Sequence, residues 1–146
     1  MHINHHLKSL YNAVGFLILL LGSSTSFGES SPENIPNTTK VNADQFIELA
    51  NAQPELVIID SRIVGDRKKG YIEGSISLPN IITSCETLKP HIKTKTTPTL
   101  YYCNGIKCGR SVKAIEIAQA CGYSNIYWFR GGFEEWLNED LPYIQK

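Results

Sequence analysis

The chain has 146 residues, 42% of them apolar and 19% charged, with 14 basic against 14 acidic side chains. That length and balance describe one globular domain with one modest core. A net charge of zero lacks the basic excess that nucleic-acid binding requires, and no such partner is expected.

The N-terminus is polar in "MHINHHLKSLYN", with Lys8, then unbroken apolar from Ala13 to Gly22, then small and polar in "SSTSFGES". Those three parts in that order make a secretory signal peptide, and an apolar run this short is a poor bilayer span. Residues 1–28 are expected to be cleaved after Gly28, giving a periplasmic or secreted protein with no stable membrane span; an uncleaved anchor is the alternative. Without Lys8 the remainder carries 13 basic and 14 acidic residues, a net charge of −1. His2, His5 and His6 fall in the segment to be removed, so no metal site is read from them, and no cofactor is expected. The four cysteines, Cys85, Cys103, Cys108 and Cys121, can hold disulfides in an oxidising compartment, although the sequence does not fix their pairing.

Residues 29–40, "ESSPENIPNTTK", have little apolar surface to offset the entropy of ordering and read as a flexible linker before a domain over 41–146. In "VNADQFIELANAQ", Asn42 is an N-cap with Gln45 at the capping-box position, and Phe46, Ile47, Leu49 and Ala50 recur at helical spacing. "ELVIIDSR" is a buried strand that sets Asp60 and Arg62 at its carboxyl end. "IVGDRKKG" reads as a short helix or turn whose Arg67, Lys68 and Lys69 form a solvated face, "SISLP" as a brief strand and "CETLKPHI" as a short helical piece. "TLYYC" is the next strand, "RSVKAIEIAQACGY" a helix stopped by Gly122, "NIYWF" a further strand, and "GGFEEWL" the start of a last helix. Cys121 reads as core filler beside the apolar stripe of its helix and Trp128, Phe129, Phe133 and Trp136 as core aromatics, while Cys85 receives no role. Strands alternating with helices imply an α/β fold, a central mostly parallel sheet with helices on both faces and active residues at the strands' carboxyl ends.

The stretch "LYYCNGIKCGRS" carries the chemistry. Cys103 ends a strand and the following residues lead into a helix, a position where backbone N–H groups favour a thiolate. Gly105 and Gly109 let the loop turn its amides inward, and Lys107 and Arg110 add positive charge, so an anion would be attracted. A nucleophilic cysteine held with an anion suits sulfur transfer or phosphate ester cleavage.

"VIIDSR", "KGYIEGSISLP", "YYCNGIKCGRS" and "YWFRGGFEEWLNEDLP", in that order between Val41 and Pro142, resemble the motifs of a single-domain rhodanese, the thiosulfate sulfurtransferase family. The resemblance implies a rhodanese-like fold and a persulfide on Cys103. It implies that the loop formed by Asn104, Gly105, Ile106, Lys107, Cys108, Gly109 and Arg110 binds the sulfur and its substrate. It also implies that Arg110 with Asp60 holds the loop while Arg62 has a structural polar role. Three features depart from the family pattern. Tyr71 stands where histidine is usual, outside the reacting centre. Six residues separate Cys103 from Arg110 where the common loop has four, which widens the pocket. Phosphatases of this fold use five with a preceding histidine, here Tyr102, and phosphatase activity is the lesser reading. The third departure is Cys108, which is either a spare thiol or a redox partner that closes an intraloop disulfide and blocks or regulates transfer.

The expected function is thus a periplasmic sulfurtransferase. It takes sulfane sulfur from a small sulfur-containing anion such as thiosulfate and hands it to cyanide, a small thiol or a protein thiol. Two alternatives remain open: a thiol-disulfide redox protein or sensor using Cys103 and Cys108, and a non-catalytic rhodanese-fold module that binds partners or carries sulfur.

Overall fold

The computed structural model describes residues 31–145, so the signal-peptide reading of residues 1–28 lies outside the described residues. Five strands form one parallel sheet: β1 (Thr39–Val41), β2 (Val57–Asp60), β3 (Ile76–Ser77), β4 (Thr99–Tyr102) and β5 (Ile126–Phe129). Their order is β1-β5-β4-β2-β3, which sets β4 at the centre with all four of its residues buried. A strand covered on both faces has no solvent side, the reason "TLYY" shows no alternation, and the hydroxyls of Thr99 and Tyr102 are bonded inside the fold.

The helices are α1 (Ala43–Ala52), α2 (Val64–Arg67), α3 (Cys85–Leu88), α4 (Arg110–Ala120) and α5 (Gly132–Asn138). The capping box of α1 forms as its sequence implies: Gln45 N–H donates to Asn42 Oδ1 at 2.9 Å and Asn42 N–H to Gln45 Oε1 at 3.0 Å. Gly122, at φ +87°, ends the last turn beyond α4 in the left-handed conformation that glycine takes without a Cβ penalty. Successive strand residues point to opposite faces, so each strand feeds two cores. Tyr101, Trp128 and Ile59 pack with Ala114, Ile115 and Ala118 of α4 and with Leu88 of α3. Leu100, Tyr102 and Phe129 pack with Phe46 of α1 and with Phe133 and Trp136 of α5. The aromatics are core residues, as expected: the Phe46 ring lies 5.3 Å from Trp136 and 5.5 Å from Phe129, and both indole N–H groups find acceptors, Ser111 Oγ and the Pro142 carbonyl.

Two expectations are corrected. Residues 31–40 are not a flexible linker: Ile35 is buried in the α4-side core, Thr39 and Lys40 pair with Tyr127 and Trp128 on the edge of β5, and Arg130 donates to the Pro32 carbonyl at 2.8 Å. Two apolar residues, Ile35 and Val41, and an open strand edge suffice to order a polar stretch, because its backbone groups are taken up by pairing. Cys121 is not a free core filler either: it forms a disulfide with Cys85, with α-carbons 5.5 Å apart, that ties the start of α3 to the end of α4.

Candidate active site

β2 and β4 run side by side with Asp60 opposite Tyr102, so their carboxyl ends open on one place. Cys103 follows β4 directly and is 2% exposed. Its loop turns through a bond from Cys108 N–H to the Gly105 carbonyl at 2.9 Å and enters α4 at Arg110, with no side-chain cap on the helix. Among the described residues, the N–H groups of Asn104, Gly105, Ile106, Lys107, Gly109 and Arg110 find no acceptor. Unpartnered amides beside a helix N-terminus stabilise negative charge on a sulfur or an anion held there.

The Sγ atoms of Cys103 and Cys108 are joined in a disulfide, with α-carbons 6.1 Å apart. Cys108 is half-buried and lines an open cavity of about 740 Å³ with Lys107, Arg110, Lys113, Ile81 and Asn80. Lys107 and Ile106 are exposed at the loop tip, and the Arg110 guanidinium lies 3.6 Å from Cys108 Sγ.

Three elements hold the loop. The N–H groups of Phe133 and Glu134 donate to the carbonyls of Cys103 and Asn104 at 2.9 and 2.7 Å. This approach needs Gly132 at φ +60°, where a Cβ would run into the Cys103 carbonyl. From α2, Asp66 accepts from Asn104 Nδ2 at 2.7 Å and lies 3.7 Å from Arg110. From the N-terminal segment, the backbone N–H and hydroxyl of Ser31 both donate to the Ile106 carbonyl, at 2.9 and 2.7 Å.

Asp60 does not pair with Arg110, a correction to what the family resemblance implies. Its carboxylate is fully buried and is taken by Arg62 (2.9 and 2.7 Å), Arg67 (2.9 Å) and the Tyr102 hydroxyl (2.8 Å), leaving Asp66 to meet Arg110. Burial would raise the Asp60 pKa, but the hydrogen bonds and charge of Arg62, with the Tyr102 hydroxyl, outweigh it and hold the group below its ordinary range. Burial, with the Asp60 charge beside it, pushes the Tyr102 hydroxyl upward, so it stays a neutral donor. Arg62, 1% exposed, also donates to the Gly70 carbonyl at 2.8 Å. Arg67, read with Lys68 and Lys69 as a solvated face, instead turns inward to Asp60 and Ser75 and stacks over the Tyr71 ring at 3.8 Å. The sequence reading missed Ser31, Asp66, Arg67 and Tyr102; of the loop's supports, only the Gly131-Gly132 pair before α5 carried a readable signal. Among the described residues, no three His, Cys, Asp or Glu side chains gather as a metal site.

A parallel α/β sheet with a buried cysteine at the carboxyl end of its central strand, followed by a loop into a helix, defines the class of α/β domains that carry a cysteine loop. The family model of the Rhodanese-like domain matches residues 42–139, and the chain belongs to that family. Its fold is that of sulfurtransferases. A Bacillus halodurans protein is similar at 23% identity and TM-score 0.65, over 74% of this chain and 77% of that one. A polysulfide-sulfur transferase homodimer from Wolinella succinogenes is similar at 19% identity and TM-score 0.63, over 75% and 80% of the two chains. A thiosulfate sulfurtransferase from Pseudomonas aeruginosa is similar at 19% identity and TM-score 0.62; the match covers 74% of this chain but 20% of that protein. No functionally curated protein matches the chain significantly.

Proposed function

We propose that this protein is an exported sulfurtransferase carrying sulfane sulfur on Cys103. The observation that carries the reading is Cys103 itself, buried at the end of the central strand and followed by a loop whose amides have no acceptor among the described residues. In the reduced loop the Cys103 thiolate attacks the outer sulfur of a small anionic donor, thiosulfate or a polysulfide. The carbon-bound sulfur gains a second sulfur and sulfite or a shortened polysulfide leaves. The amides hold the charge before and after the step, and Arg110 with Lys107 draws the anion in. A thiol, cyanide or protein thiol then removes the outer sulfur. The disulfide Cys85–Cys121 supports work in an oxidising compartment such as the periplasm, where it would persist. The test is intact mass of the reduced chain before and after thiosulfate. Cys103→Ser gains nothing, while a chain that keeps Cys103 gains one sulfur or releases it as sulfide; a chain that retains no sulfur and frees neither sulfite nor sulfide from thiosulfate or polysulfide overturns the reading.

The Cys103–Cys108 disulfide favours a second reading, a thiol-disulfide redox protein. It expects the loop dithiol to reduce a protein or small-molecule disulfide without any sulfane donor, through a mixed disulfide that Cys108→Ser traps.

A further inference from the structure

The Cys108 side chain has no task in the transfer just described, yet its sulfur is bonded to that of Cys103. The backbone turn from Cys108 N–H to the Gly105 carbonyl folds it back over Cys103, so their proximity is built into the loop. The two sulfurs have unlike surroundings. Cys103 is 2% exposed at the end of β4, whereas Cys108 lines the open cavity with the Arg110 guanidinium 3.6 Å from its sulfur. A cation beside a thiol favours its thiolate, the nucleophilic form. In disulfide exchange the exposed sulfur is the one attacked, and the better-stabilised thiolate is the one that leaves.

Resting on the sulfurtransferase reading, we propose that Cys108 is the resolving residue of the reaction, discharging the Cys103 persulfide as hydrosulfide. Cys108 Sγ attacks Cys103 Sγ; the bond between them forms as the bond from Cys103 Sγ to the outer sulfur breaks. The electron pair leaves with the outer sulfur, which takes the Cys108 proton and departs as HS⁻. The two cysteines are oxidised to the disulfide and the sulfane sulfur is reduced to sulfide, so this half of the cycle needs no outside electron donor. The disulfide is then its end product, and the cycle restarts when an external dithiol attacks Cys108 Sγ from the cavity. Cys103 leaves as a thiolate into the amide cradle, and the dithiol ends as its own disulfide. The protein acts as a sulfane-sulfur reductase, and its partner class is a dithiol reductant in place of cyanide or a monothiol acceptor.

The experiment is a single turnover of the full chain, reduced, freed of small thiols under argon, and mixed with thiosulfate or, in parallel, polysulfide. Sulfite, sulfide and the mass of the peptide spanning Cys103 and Cys108 are read for wild type, Cys108→Ser and Cys108→Ala, with circular dichroism as the folding control. With thiosulfate the expected result is sulfide from wild type in step with sulfite, and with either donor a loop peptide lighter by two hydrogens. With thiosulfate both variants release sulfite without sulfide, and with either donor they keep one extra sulfur on Cys103. Wild type holding a stable persulfide with no sulfide overturns the resolving role and leaves the sulfurtransferase reading standing. If neither donor delivers sulfur to wild type or to the variants, both fall together.

Discussion

At the scale of single residues the site rests on Asp60, a carboxylate with no exposure that ion-pairs with two arginines and accepts from Tyr102, the residue before Cys103. Removing one member of a buried ion pair leaves the other charge uncompensated, which costs about 3–5 kcal/mol. Asp60→Asn is expected to lower unfolding stability by that order in urea titrations at neutral pH, with Arg62 and Arg67 left unpaired. The sign of the acid response follows from the lowered Asp60 pKa. A carboxylate whose pKa is depressed by folding stabilises fully above its unfolded value of about 4, and loses that contribution as pH falls below this through the folded value. Wild type should therefore lose stability below that point more steeply than Asp60→Asn; parallel acid profiles for the two chains would show that Asp60 is not ionised in the fold.

At the scale of elements, two joints carry most of the positioning. The first turn of α5 meets the start of the cysteine loop through Gly132, where positive φ and the Cys103 carbonyl leave no place for a side chain. Gly132→Ala must shift one or the other. A non-glycine residue in such a conformation costs about 1–3 kcal/mol, and the displaced loop should form persulfide at least severalfold more slowly. Single-turnover sulfite release, measured beside thermal unfolding, separates the two effects. The second joint is the disulfide between α3 and α4, whose cysteines are 36 residues apart. Closing a loop of that length limits the unfolded chain enough to be worth about 3–4 kcal/mol. The double substitution Cys85→Ser with Cys121→Ser should lower stability accordingly while sulfite release persists below the new melting point, because neither sulfur reaches the amide cradle. An unchanged melting point would mean that the bridge does not form in the protein.

At the scale of the whole molecule, the sequence is most informative where a feature is local. Asn42 with Gln45, the apolar run of β2 and the cysteine at the end of β4 each follow from neighbours a few residues apart. Asp66, Arg67 and the Cys85–Cys121 bridge were not legible because their partners are chosen by the packed sheet: the same charged segment reads as a solvated face until β2 and β3 bring Asp60 and Ser75 beneath it. Residues 31–40 are the largest such case, since their polar composition gives little reason to order and the open edge of β5, with the burial of Ile35, supplies one. That segment, with Val41, links the cores to the cysteine loop, because Ser31 fixes the Ile106 carbonyl at the loop tip while Ile35 and Val41 enter the two cores. A chain beginning at Asn42 would lose both anchors, each buried aliphatic side chain being worth about 1.5–3 kcal/mol, and would leave the backbone of β5 unpaired along one side. It is expected to unfold at lower urea, to associate at high concentration through that edge, and to release sulfite from thiosulfate more slowly although Cys103 is intact. Ser31→Ala in the full chain, which removes the hydroxyl bond but keeps both anchors, should slow the reaction while barely changing stability. If it does neither, and the shortened chain differs in stability alone, the segment closes the sheet but does not hold the loop.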